Sequence, residues 1–156
     1  MDPLSVTASV VGLLAAAGKI AFVLSTIRSS LSHAPQSVDQ LLSLVRELKI
    51  CFSSVHNFLI GLSLAPKRRI NMIQVEDLVI TLTESVLTFS ELEALVSPYG
   101  GVSGMTILER LKFSWDEDGI SSIMQRLDRH KSSLSLMLNI IQWYVSCLSR
   151  DLTIYL

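Results

Sequence analysis

The residue types that could perform catalysis or bind a metal are few and widely spaced in this chain. Its three histidines are His33, His56 and His130, and its two cysteines are Cys51 and Cys147. None of the histidines belongs to an HExxH pattern, and the two cysteines form neither a CxxC motif nor the ligand set of a structural zinc site. The sequence therefore predicts no metal site and no bound cofactor.

Serine is abundant, but no GxSxG motif marks one as a nucleophile. The glycine-rich stretch at 100–104 follows no predicted strand and lacks the lysine of a phosphate-binding loop. We interpret it as a flexible loop between helices. The sequence thus predicts a protein that is not an enzyme and has no small-molecule substrate.

Composition limits the class of protein further. The 156 residues are enough for one domain. A hydrophobic content of 49% with only 6% aromatic residues, and a mean hydropathy of +0.48, favour packed aliphatic helices. A net charge of -1 and a pI near 6.3 argue against nucleic acid as a partner, because such affinity depends on clustered lysine and arginine.

The compartment is predicted from the cysteines and the N-terminus. Two thiols on apolar helix faces are typical of buried residues in the reducing cytoplasm, with a disulfide between them as the alternative. The apolar start with small residues at 15–17 also resembles a secretory signal, but Asp2 and Pro3 replace the basic residues expected there and instead suit a helix start. We expect a cytoplasmic protein that is recruited to a membrane on activation.

Apolar residues recur at helical spacing along most of the chain. This pattern predicts amphipathic helices over about 35–62, 75–96 and 120–148, and a capping box at Thr106 and Glu109 predicts a short helix over 107–115. With the apolar segment Leu4–Leu24, the pattern predicts an all-α fold, an antiparallel four-helix bundle with one additional short helix. We assign the bundle to residues 1–149 and a C-terminal tail to 150–156, which diverges from the family resemblance described below.

The segment Leu4–Leu24 contains one charge, Lys19, and would span roughly 30 Å as a helix, close to the thickness of a hydrocarbon core. Ala8, Gly12 and Ala16 recur every fourth residue, so another backbone could approach one side closely. A charge near the bilayer centre costs about 3 kcal/mol, but Lys19 is near the far end, where its side chain can snorkel. The alternative is that this helix is the most enclosed core element.

Two charged groups could bind partners. Lys67, Arg68 and Arg69 form a basic loop tip that could contact anionic headgroups. Asp77, Glu84 and Glu91 recur every seventh residue and could form an acidic strip for a protein partner. Both patterns are also typical of solvated surfaces.

Three stretches carry a resemblance to a known family: residues 1–19, which open with MDPLSVTAS and continue with GLLAAAGK at 12–19, residues 78–92, and residues 130–138. Over about residues 1–142 the chain resembles the fungal N-terminal domain that precedes NACHT ATPase and ankyrin-repeat regions in STAND receptors. That domain is also catalogued as the N-terminal domain of azaphilone pigments biosynthesis cluster protein L.

The resemblance implies a HeLo-like helical bundle whose N-terminal helix acts on membranes in programmed cell death during heterokaryon incompatibility. We therefore expect a non-enzymatic signalling or effector domain that binds copies of itself or protein partners and acts on anionic membranes. Ala8, Gly12, Ala16 and Lys19, with Lys67, Arg68 and Arg69, are the expected self-association and membrane residues. The alternatives are a soluble interaction scaffold whose first helix stays in the core, and an accessory to pigment biosynthesis.

Overall fold

The computed structural model describes residues 3–31, 33–63, 75–100 and 115–154. Within these ranges all the regular structure is helical. The helices are α1 (Pro3–Ser30), α2 (Gln36–Ser63), α3 (Val75–Val96) and α4 (Glu117–Ile154), and a 3₁₀ turn at Ser97–Tyr99 follows α3. The predicted all-α class with four long helices is confirmed. The short helix predicted at 107–115 lies outside the described residues, apart from Trp115.

Local signals in the sequence account for where the last helix begins. Asp116 caps α4, because its Oδ1 accepts a hydrogen bond from the backbone N–H of Gly119 at 3.1 Å and its backbone carbonyl accepts one from Ile120 at 2.9 Å. A Cβ at position 119 would collide with the Asp116 carboxylate, so glycine fits this turn. The acidic residues Glu117 and Asp118 in the first turn complement the helix dipole.

One hydrophobic core connects the four helices. At its centre the rings of Phe52 on α2 and Phe89 on α3 meet edge to face, with centroids 5.6 Å apart. Both side chains are fully buried. At the end of the molecule where α4 begins, Tyr99 packs against Trp115, whose indole N–H donates to the Ser37 hydroxyl at 3.1 Å.

Each of the four helices packs mainly against two of the others, so that the contacts form a closed cycle. α1 packs against α2 and α3, and α4 packs against the same two helices from the other side. Helices α1 and α2 run in opposite directions, because residue numbers on one fall as those on the other rise: Arg28 lies beside Asp39, and Gly18 lies beside Lys49. Lys19 lies beside Glu93 and Val23 lies beside Gly100, so α1 and α3 run in the same direction.

Cross-helix pairs also give the direction of α4 relative to its neighbours. On α2 and α4 the paired residue numbers rise together, whereas on α3 and α4 one falls as the other rises. α4 therefore runs parallel to α2 and opposite to α3. The pairs are Ser37 with Glu117 and Glu47 with Lys131 for α2 and α4, and Glu91 with Arg126 and Thr88 with His130 for α3 and α4.

Among the described residues, α1 has one buried face and one exposed face, and the alternative that it is the most enclosed core element stays a prediction. One face of α1 is buried in the core, and 39% of its most apolar stretch is buried. The opposite face is exposed even though it carries almost no charge. The reason is that, among the described residues, α1 packs mainly against α2, α3 and the 3₁₀ turn after α3, which cover only part of its circumference. The buried residues are Val6, Val10, Leu13, Ala17, Ile20, Val23, Leu24 and Ile27.

Candidate functional site

The candidate site is the exposed side of α1, which we call the outer stripe. It follows steps of four and three residues along the helix, an average of 3.5, so it forms a nearly straight line about 21 Å long. Its members are Ala8, Gly12, Ala15, Lys19 and Phe22, all of them exposed. Val11 lies exposed beside it.

Two of the three small residues singled out from the sequence, Ala8 and Gly12, lie on the outer stripe. Ala16 is half-buried and packs against the core instead. A step of four residues overshoots one turn of 3.6, so a strict four-residue repeat drifts around the helix toward the core. Ala15 occupies the corresponding exposed position, and the 3.5-residue spacing is the signal that would have identified it.

The outer stripe is exposed and is not covered by another described helix. A Cβ placed on Gly12 would have no atom of the described residues within 4 Å, beyond its own stretch of helix. Phe22 is 73% exposed, the largest exposed fraction of any large apolar side chain among the described residues. The stripe therefore presents small and apolar side chains where a surface helix normally carries charge.

Lys19 is the one charged member of the outer stripe, and it does not stand alone. Its Nζ lies 2.5 Å from Oε1 of Glu93 on α3, with side chains 64% and 36% exposed. At the end of α1, Arg28 pairs with Asp39 of α2 at 2.9 Å. Ion pairs at this exposure each stabilise a fold by about 0–1 kcal/mol. Apolar packing therefore supplies most of the free energy that keeps α1 in the bundle, and the ion pairs add a small contribution.

The length and composition of α1 permit it to cross a membrane. Residues Ser5–Ser30 form a helix of 26 residues that is long and apolar enough to span the hydrocarbon region. A buried core helix or a signal sequence meets the same criteria, so spanning is permitted rather than required. The exposed stripe distinguishes α1 from an ordinary core helix, because part of the apolar surface of α1 has no packing partner among the described residues.

The other charged candidates add little to the site among the described residues. Lys67, Arg68 and Arg69 lie outside the described residues. In the acidic row, Glu91 accepts hydrogen bonds from the two terminal guanidinium nitrogens of Arg126, and this hydrogen bonding lowers the pKa of Glu91. That part of the row is therefore occupied by a contact between α3 and α4.

Groups suited to catalysis are not assembled in the part of the chain that the structure describes. No cluster of three or more His, Cys, Asp or Glu side chains there could hold a metal ion. Cys51 is a free, half-buried thiol whose Sγ lies 3.8 Å from the Ser135 hydroxyl. Cys147, the other candidate for a disulfide, lies outside the described side chains.

A polar contact that the sequence did not reveal lies inside the bundle. His130 of α4 is 6% exposed, and its Nε2 lies 3.0 Å from the Thr88 hydroxyl of α3. Thr88 in turn donates its hydroxyl proton to the carbonyl of Glu84, which leaves its oxygen as the acceptor for a hydrogen bond from the Nε2–H tautomer of His130. In the sequence, His130 takes one position in the row of apolar residues of the last helix. Nothing in the sequence identifies Thr88 as its partner.

We predict that stability falls as the pH falls below about 6.5. Burial lowers the pKa of His130 below its ordinary value of 6.5. The positive charges of Arg126 and Arg129 lower this pKa further, whereas the negative charge of Glu84 raises it. The unfolded chain therefore takes up the proton at a higher pH than the folded one, which favours unfolding as the pH falls. Urea titrations between about pH 7.5 and 5 should show this loss, and His130→Gln should flatten it. An unchanged slope in that variant would contradict the assignment.

Comparison of the chain with protein-family models found no match. Searches of curated proteins and of solved structures found no significant match either. The resemblance to the fungal STAND N-terminal domain therefore stays a prediction, and the geometry of α1 is the main structural indication of function.

Proposed function

We propose that this protein is a non-enzymatic signalling or effector domain that self-associates and acts on membranes through α1. Activation would bring several copies together along the outer stripe and transfer α1 from the bundle to lipid. The setting implied by the family resemblance is fungal cell-death or incompatibility signalling. We also propose that the chain as a whole is an antiparallel four-helix bundle, because consecutive helices α1 and α2, and α3 and α4, run in opposite directions.

The observation that carries the proposal is the exposed apolar face of a helix long enough to span a bilayer. In an ordinary surface helix, charged residues cover the side away from the core. On α1 that side carries alanine, glycine and phenylalanine with one lysine. The small residues allow two helices to approach closely, and the 3.5-residue spacing keeps the contact in register along both.

The free-energy cost of moving α1 out of the bundle is offset only when lipid or another copy of the protein is there to bury its apolar side chains. Leaving the bundle would expose eight core side chains of α1, at a cost on the order of 10–20 kcal/mol in water. Lipid hydrocarbon is as apolar as a protein core, so insertion returns a similar free energy for the side chains of α1 itself, while the faces of α2 and α3 that α1 covered must be buried again by another copy. The helix therefore stays in the bundle in water and can leave it only where lipid or another copy replaces the lost contacts.

A pair of glycine substitutions tests the proposal. Gly12 on α1 and Gly61 on α2 lie in exposed helical positions where a Cβ meets no atom of the described residues within 4 Å, beyond its own stretch of helix. Replacing either by leucine removes a helix-destabilising glycine, so both variants should fold at least as stably as the parent. We expect Gly12→Leu to reduce crosslinked oligomers and dye leakage from anionic liposomes about 10-fold or more, and Gly61→Leu to leave both unchanged.

The soluble interaction scaffold is the second candidate function. It is favoured by the eight α1 residues in the core, which make this helix an integral part of the fold. The scaffold predicts a well-folded protein that causes no leakage even when it is crosslinked into oligomers. Equal leakage from the Gly12→Leu and Gly61→Leu variants would also count against the outer stripe. Leakage that requires residues 1–24, with folding of the shortened chain checked by circular dichroism, would exclude the scaffold.

A further inference from the structure

We infer that the Lys19–Glu93 pair is an autoinhibitory contact that adds to the apolar packing of α1 by favouring its docked position, and that it must break before α1 can leave the bundle. The inference rests on the proposed function and concerns its regulation. Its basis is that the one charge in the segment Leu4–Leu24 meets a carboxylate on α3 at 2.5 Å.

The pair stabilises the docked position of α1 and no other. Lys19 lies on the outer stripe, seven residues after Gly12, so it faces the surface on which another copy would dock. Entry of α1 into lipid or into an oligomer separates Lys19 from Glu93, since Glu93 belongs to α3. Glu93 therefore favours the docked state, whereas the apolar contacts of α1 have an equivalent in lipid.

The second ion pair of α1 has a different position. Arg28 and Asp39 meet at 2.9 Å across the short connection between α1 and α2. Because these two residues lie next to the short connection, we expect them to stay close together when the rest of α1 moves away, so we treat this pair as a hinge contact rather than a latch. The two pairs are alike in exposure, with side chains 57% and 50% exposed at the hinge. Asp39 therefore provides a matched control for Glu93.

Substitutions of Glu93 test the latch without altering α1 itself. Glu93→Gln removes the attraction, and Glu93→Lys places two cations beside each other. We expect amide hydrogen exchange across residues 10–24 of the full-length protein to rise about two- to five-fold in Glu93→Lys, and less in Glu93→Gln. Asp39→Lys should leave exchange in that segment at the parent level.

The liposome assay gives the second readout. Leakage from anionic vesicles should increase in the order parent, Glu93→Gln, Glu93→Lys, with Asp39→Lys equal to the parent. Unchanged α1 exchange in Glu93→Lys, or an equal rise in Asp39→Lys, would overturn the latch. Faster α1 exchange with no leakage from any protein would refute the membrane function while supporting Glu93 as the docking contact of α1.

Discussion

Replacing Ala15 by aspartate is expected to reduce liposome leakage about 100-fold. Ala15 lies near the middle of the apolar segment of α1, and a carboxylate at the centre of a membrane-spanning helix costs about 2.5–3.5 kcal/mol. In the folded bundle the same side chain is exposed, so the free energy of unfolding should change by less than about 1 kcal/mol. Dye release and urea unfolding of the same preparation measure the two effects.

The matched control for this charge is Asn57→Asp. Asn57 is exposed on α2, so the variant gains the same negative charge on a helix that the proposal keeps out of the membrane. Its leakage should equal that of the parent. A leakage-competent Ala15→Asp protein would show that α1 does not enter lipid, and equal losses in both variants would indicate a general repulsion from anionic vesicles.

Replacing Phe52 by alanine is expected to lower the free energy of unfolding by about 3–5 kcal/mol. The Phe52 ring is fully buried and packs edge to face against Phe89, so its removal leaves a cavity and eliminates a contact between α2 and α3. For a domain of this size, such a loss is a large fraction of the total stability. Urea unfolding followed by circular dichroism provides the measurement.

Ile50→Ala on the same helix is the comparison for Phe52. Ile50 is 68% exposed, so its truncation should change the free energy of unfolding by no more than about 0.5 kcal/mol. Equal effects of the two substitutions would mean that the Phe52–Phe89 contact does not form the centre of the core. The contrast tests the packing of the bundle independently of any function.

The amphipathic helices could be predicted closely because their two sides differ in the sequence. The apolar stripe of α2 predicted a helix over about 35–62, and the structure places it at Gln36–Ser63. The stripe of α3 and the following Ser97–Pro98 step predicted its end, which lies at Val96. Where apolar residues recur every three or four positions among polar ones, the sequence alone predicts which side of the helix is buried.

The outer stripe could be predicted only in part, for the opposite reason. Helix α1 is apolar around most of its circumference, so the sequence carried no information on which side faces the core. The four-residue repeat identified Ala8 and Gly12 but extended to Ala16, which the core partly covers, and missed Ala15 and Phe22. The positions of α2 and α3 beside α1 decide which side is exposed.

By itself, the sequence determined the all-α class, the four long helices and the presence of one apolar segment with a single charge, because these properties follow from local spacing and composition. The tertiary structure decided which helices are neighbours, and with them the pairs Lys19–Glu93 and Thr88–His130, whose members lie 74 and 42 residues apart. Such pairs depend on how several apolar faces pack together, and that is a property of the whole chain rather than of any one segment.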